Sequence, residues 1–361
     1  MLAATVTSVG RTLIVPRGLS PRLSGGFDWV VRVLFRWAAH RTSSYYTRDR
    51  ILTYESPFRL LGLLVQWLVA ALLGFSLVFL PFASSYSEAL GLAGSAMFTL
   101  GFIHVENSAP IAISFVAALT GLALVAMQIA YLPTIYSAFN RRETLVTMLS
   151  SRTGQPPWGP EVLARHALID NLGDLPRFFR EWELWAADVA ESHTNYPVLI
   201  AFRSPHPLRS WVVALNSVLD AAALYLALSP SKAPSEANAF LRMGYSALRE
   251  VATVLHIPFE PDPLPEDPIQ LTQAEFQEAV EVLDEAGFPR ERSAVEAWPH
   301  FHGWRVNYEV LVYAIADRFD SPPALWSGPR RNLSVRGIPP ERPRHRHPGE
   351  DESHTHAVAA H

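Results

Sequence analysis

Thr99-Leu100-Gly101-Phe102 offers little side-chain chemistry but useful backbone chemistry. A cation gives up its water only where fixed oxygens replace the hydration shell, and rings of backbone carbonyls can do this. Gly101 tolerates a positive φ, which lets successive carbonyls face one way. In such a ring Thr99 adds a hydroxyl and a carbonyl at the inner end, and Leu100 and Gly101 add carbonyls. Phe102 packs outward against its helix and holds the diameter. One chain supplies one strand of the ring, so copies around an axis, expected as a homotetramer, are needed to close it. The species handled is then a permeant cation, and no other cofactor is expected. His104 and Glu106 would stand at the outer mouth. Glu106, and Glu88 farther out, add negative potential there. A loop His beside such a mouth reads as an external pH sensor or, more plainly, as a silent surface residue.

The elements that must position this run are apolar. Leu60–Ser87 and Asn107–Asn140 contain no Asp, Glu, Lys or Arg. About 20 apolar residues cross the hydrocarbon core. The predicted spans are 57–80, opened by Pro57 and stopped by Pro81, and 110–139, opened by Pro110. Between them, 85–105 reads as a pore helix and loop. Ser85 and Glu88 have the spacing of a capping box, and Ala89, Gly91, Ala93, Gly94, Ser95 and Ala96 permit close packing. That helix would aim its partly negative C-terminal end at the central cavity, which favours cations. Gly121 reads either as a hinge of the inner helix or as a close-packing position, and Pro133 either as a kink at the gate or as a helix terminus. Arg32, Arg36, Arg41, Arg48, Arg50 and Arg59 precede the first span; Arg141, Arg142 and Arg152 follow the second. No Lys or Arg lies between, so both flanks are placed in the cytoplasm of a multi-pass protein of the cell (inner) membrane.

The fold class expected is an all-α membrane protein. It has two spans, a re-entrant pore helix and filter loop, and a cytosolic helical bundle. Residues 1–56 form an amphipathic, interfacial segment, with residues 1–16 a short extra membrane helix or an interfacial one. Asp28, Arg32 and Arg36 share a helix face beside Trp37, a pattern suited to a membrane surface. Residues 57–140 form the pore module, 141–160 a Pro/Gly/Ser linker, 161–327 the cytosolic helices and 328–361 a disordered His/Pro/Arg-rich tail. Trp211–Leu228 is apolar enough to suggest a third span, but Asp220 near its centre favours a buried helix of the bundle. The chain has no Cys, which excludes disulfides and thiolate chemistry, and its net charge of −4 gives no bulk attraction to nucleic acid. No Walker loop, dinucleotide fingerprint or metalloprotease helix is present, so the chain is not expected to be an enzyme. Neither span carries the Arg series of a voltage sensor. An unidentified cytosolic ligand is the expected opener.

The order of span, capped half-helix, Gly-containing loop and span resembles the two-span, potassium-channel-like pore module of the bacterial ion-channel superfamily. It is similar to the subset whose filter reads Thr-Leu-Gly-Phe. "TLIVPRG", "YLPTIYSAFNRRE", "ESHTNYPVLIAFRS", "LDAAALYLAL" and "SPPALWSG" also look like that group, so the likeness runs through most of residues 10–328. The resemblance implies a tetrameric cation channel with a cytosolic regulatory domain. The chain departs from the potassium signature at Phe102, where a Tyr stands, and at Ile103, where a second Gly stands. Ile resists positive φ. Two other readings stay open: a non-conducting membrane-anchored sensor or adaptor on a degenerate pore module, and a tethered enzyme.

Overall fold

The structure, a computed structural model, describes Leu2 and residues 22–42, 44–103 and 107–328. Among the described residues it is all helical, with no strand. The tail after Gly328, and residues 1–16 apart from Leu2, lie outside that set. Three helical stretches are long and apolar enough to cross a membrane: Tyr45–Phe82, Ser108–Arg152 and Trp211–Leu228. The chain divides into two compact units, Met1–Phe139 with Asn195–Phe202, and Asn140–Thr194 with Arg203–His361.

The first unit contains α1 (Arg22–His40), α2 (Tyr45–Thr53), α3 (Glu55–Phe79), α4 (Tyr86–Met97) and the first part of α5 (Ser108–Arg152). Helix α3 ends at a 3-10 turn, Leu80–Phe82, that carries Pro81, close to the expected stop. Ser85 caps α4 by accepting the Glu88 N–H at 3.2 Å. The return bond is shifted by one residue: Glu88 Oε2 accepts from Ser84 N–H at 2.7 Å. Trp67, Ala71, Phe75 and Phe79 recur every fourth residue on α3. They pack against Ala89, Leu92, Ala93 and Met97 of α4, with Ala117 and Leu124 of α5. Helix α1 is fixed to α3 by Arg59, which donates to both Asp28 carboxylate oxygens at 3.1–3.2 Å, and by Phe35 against Phe58. Its other face leaves Trp29, Val33, Leu34 and Trp37 exposed. The short turn Pro197–Ala201 belongs to this unit, with Leu199 and Phe202 packed on Leu60, Ile135 and Ala138.

Helix α5 does not end near Phe139. It runs through Pro133 and Arg141–Arg142 to Arg152, so the larger part of the expected linker is helical. The reason is that Val146 and Leu149 continue an apolar stripe and are buried.

The second unit also holds α6 (Gly159–Leu168), α7 (Leu175–Asn195), α8 (Trp211–Leu228), α9 (Ser235–Leu255), α10 (Gln273–Glu285), α11 (Ala294–Arg305) and α12 (Glu309–Arg318). Residues 160–192 read in sequence as one helical pattern, and they form two helices, parted where Asp170 takes φ 53° ahead of a 3-10 turn, Leu172–Asp174. Residues 304–319, likewise one pattern in sequence, are split between Arg305 and Glu309. Every residue of α8 except Leu226 is buried, and α6, α9, α11 and α12 pack on it. A helix apolar all round needs such an enclosure.

Asp220 of α8 sits in a fully buried cluster. Arg305 donates through Nη1 to Asp220 Oδ1, through Nε to Glu309 Oε1 at 2.9 Å, and through Nη2 to the Trp326 carbonyl at 2.7 Å. Tyr308 and Asn216 also donate to Asp220, at 2.8 and 3.0 Å. Glu309 accepts from Tyr313 OH at 3.1 Å and from the Leu271 N–H at 3.1 Å. One guanidinium thus serves two carboxylates without solvent. A second buried centre joins Arg142, Glu143 and His193. Arg142 Nη1 lies 3.1 Å from His193 Nε2, which makes that nitrogen the acceptor and leaves the ring proton on Nδ1. Burial and the adjacent Arg142 hold His193 well below the ordinary histidine value.

Two outcomes follow for the full-length protein in detergent. Arg305→Met strands two buried carboxylates and lowers stability by about 3–5 kcal/mol, read as a fall in the thermal midpoint. For His193 the native pKa lies below the unfolded one. The unfolded state therefore takes up a proton near pH ~6.5 while the native state does not. The stability this group supplies is complete above that pH and falls as the pH drops. His193→Gln keeps an acceptor for Arg142 and removes the titration. The variant should lose less stability than wild type when midpoints are compared at about pH 7.5 and about pH 5.5.

Candidate functional site

Helix α4 ends in a loop, Phe98–Ile103, that folds back onto the helix it leaves. Thr99 takes φ +55°. Its N–H donates to the Ala96 carbonyl at 3.0 Å, and the Leu100 N–H donates to the Ser95 carbonyl at 2.9 Å. These are the two bonds of a Schellman cap, with Thr in the left-handed position usually given to Gly. A β-branched residue there costs roughly 1–2 kcal/mol, and the loop's hydrogen bonds hold it in place. Gly101 takes φ +65°, as its residue type suggested. Its N–H shares the Ser95 carbonyl at 3.3 Å. The Ile103 N–H donates to Ser95 Oγ at 3.3 Å.

Peptide planarity converts these bonds into a direction. In a trans peptide the N–H and the preceding carbonyl point opposite ways. With the N–H groups of Leu100, Gly101 and Ile103 turned toward Ser95, the carbonyls of Thr99, Leu100 and Phe102 point roughly away from it. Thr99, Leu100, Gly101 and Phe102 are all exposed, whereas Ser95 is buried. The Thr99 hydroxyl donates to the Phe98 carbonyl at 2.8 Å. The loop therefore sets a row of backbone oxygens on the side away from α4. Such a row suits a cation that has shed its water.

Phe102 does not pack on its helix as expected; its side chain is 65% exposed. Ile103 occupies that place, packed on the α3–α4 core, with Cδ1 2.9 Å from where a Cβ on Gly91 would sit. The bond to Ser95 turns Ile103 inward, and the gap at Gly91 receives it. Gly121 of α5 lies against α4: an added Cβ would stand 2.1 Å from the Met97 carbonyl oxygen. Pro133 lies inside α5 and is exposed. His104 and Glu106 lie outside the described residues.

Sequence reasoning missed Ser95, whose carbonyl and hydroxyl together receive three loop N–H groups. The signal available was its position in the last turn of the helix, where a carbonyl awaits a donor. It also missed Gln128, buried in α5, whose Nε2 reaches the Leu60 carbonyl at 3.4 Å. A lone Gln within a charge-free run was the only cue. Among the described residues no group of His, Asp or Glu could hold a metal ion. No protein-family model, curated protein or solved structure matches the chain.

The close approach at Gly121 is testable. Gly121→Ala forces a backbone atom to move and should lower the stability of the detergent-solubilised protein by at least about 1–3 kcal/mol. Gly94→Ala is the control, since its added Cβ meets only Leu72, at 3.7 Å, and should leave the thermal midpoint nearly unchanged.

Proposed function

We propose that this chain is one subunit of a homotetrameric cation channel of the two-span, potassium-channel-like kind that its sequence resembles. Helix α3 and the first part of α5 cross the cell (inner) membrane. Helix α4 and the Phe98–Ile103 loop dip in from outside between them, and the second unit is a cytosolic helical regulatory domain. The observation that carries this reading is the loop itself. Between two charge-free runs, residues 60–87 and 107–140, three N–H groups are fastened to one buried serine, and by peptide planarity three carbonyls face the other way. In hydrocarbon those oxygens have no donor, so they must line water or ions. A single strand cannot enclose a lumen, and four strands can.

Two spans fit better than three. Of the Trp211–Leu228 window 94% is buried by protein, against 22% in Ser108–Arg152, so α8 has no face for lipid. With two spans the Arg-rich flanks share the cytoplasmic side. Helix α1 then lies at the inner membrane surface, its exposed Trp29, Val33, Leu34 and Trp37 in the headgroup region and Arg41 stacked 3.7 Å over Trp37. The permeant ion is a monovalent cation, K+ foremost, and the opener a cytosolic ligand.

Purified full-length protein in planar bilayers under a K+ gradient tests the proposal. Wild type should carry cation current, and Gly101→Asp, which puts a side chain and a charge into every strand of the ring, should abolish it. Absence of current at every voltage, pH and cytosolic ligand tried, from a protein that still assembles, would overturn the proposal in favour of a non-conducting sensor.

A further inference from the structure

We infer that Ser95 is the positioning residue that sets ion preference at the outer end of the loop, by aiming the Phe102 carbonyl. The inference rests on the channel reading above and adds a residue to it. A carbonyl-lined strand needs left-handed backbone at alternate positions if its oxygens are to face one way. Thr99 and Gly101 supply this, at φ +55° and +65°. The next alternate position is Ile103, whose branched side chain opposes it. The chain has another way to orient that peptide. The Ile103 N–H donates to Ser95 Oγ at 3.3 Å, and the Phe102 carbonyl, in the same planar unit, is turned to the opposite side. A hydroxyl on the short helix thus does by hydrogen bonding what a glycine would do by backbone freedom.

The site is built for that task. Ser95 is buried, so its hydroxyl has no bulk water to compete with the Ile103 donor. Its own carbonyl is already occupied by the Leu100 and Gly101 N–H groups, so the residue cannot move without releasing the rest of the loop. Ile103 is anchored a second time by its side chain on the α4 surface at Gly91. Of these ties, only the hydroxyl bond fixes the rotation of the Phe102–Ile103 peptide. Ser95→Ala removes it and leaves the helix, the carbonyl bonds and the Ile103 contact in place. The Phe102 carbonyl is then free to swing from the axis, and the outermost oxygens are lost to the ion.

The test is the reversal potential of full-length wild type, Ser95→Ala and Ser95→Thr in planar bilayers with K+ on one side and Na+ on the other. The expected result is a K+/Na+ permeability ratio that falls about three- to tenfold in Ser95→Ala, the worth of one neutral hydrogen bond. Ser95→Thr, which keeps the hydroxyl, should retain the wild-type ratio. Should Ser95→Ala fail to assemble, replacing the amide at Ile103 by an ester deletes the donor instead and should lower the ratio likewise. Conducting wild type with an unchanged ratio in Ser95→Ala, or in the ester where that is used, overturns this inference alone. A wild type that carries no current overturns the channel reading and this inference with it.

Discussion

The last turn of an α-helix leaves carbonyls without donors, and where water is scarce each must find one in the protein or cost several kcal/mol. Helix α4 meets that constraint with the residues that follow it. The N–H groups of Phe98, Thr99, Leu100 and Gly101 turn back to the carbonyls of Gly94, Ala96 and Ser95. This is why the loop is so short and why it needs positive φ at Thr99 and Gly101. A chain that continued extended from Met97 would leave the Ser95 and Ala96 oxygens unmet on a helix whose Leu92, Ala93 and Met97 belong to the apolar core. The conformation of the candidate site is therefore the solution to a helix-capping problem posed by apolar surroundings.

The second unit solves a related problem with side chains. Helix α8 is enclosed on all sides, so Asp220 must be met by other parts of the chain. Tyr308 and Arg305 meet it, from residues more than 80 positions later in sequence. Glu309 then joins, and its second oxygen takes the Gln270 N–H ahead of α10. Burying these charges gains little net stability. What it adds is specificity, because Asp220, Arg305, Glu309 and the Trp326 carbonyl meet only when α8, α11, α12 and the Trp326 turn take this arrangement. Hydrophobic packing of Leu215, Leu219 and Phe240 alone would tolerate other arrangements.

Much of the fold was legible because its signals are local. Pro81 marked the end of α3 and Ser85 the start of α4, each by a one-residue stereochemical rule, and the charge-free runs marked the apolar helices. The signals that failed were competitive or remote. Arg141–Arg142 reads as the end of a span, yet Val146 and Leu149 keep the helix going because their burial outweighs the charge. Asp170 breaks the α6–α7 pattern through a left-handed backbone that composition does not announce. The pairing of Asp220 with Arg305 has no spacing rule, since it is made by tertiary packing. At the site, Gly101 was legible as a left-handed residue and Thr99 was not. A β-branched residue adopts that conformation only when neighbouring hydrogen bonds impose it. Phe102 was read as the residue packed on its helix, and Ile103 takes that place, because the Ser95 bond, not residue type, decides which side chain turns inward.

Once the loop's N–H groups are spent on α4, the opposite oxygens of Thr99, Leu100 and Phe102 have no donor of their own in the loop. Phe115, Leu119, Leu122 and Ile129 of α5 are also uncovered. These side chains are indifferent to whether lipid or another copy covers them, because both are apolar. The oxygens are not indifferent. Lipid offers them no donor and no charge, so at membrane depth they require a hydrated or ion-filled space, and a space of that kind must have walls. In the proposed channel, copies of the chain arranged about an axis would supply the walls and put the oxygens on the inside. Under that proposal ion preference would turn on how many of those oxygens each copy holds in place, a task that would fall to Gly101 in the middle of this loop and to Ser95 at its outer end.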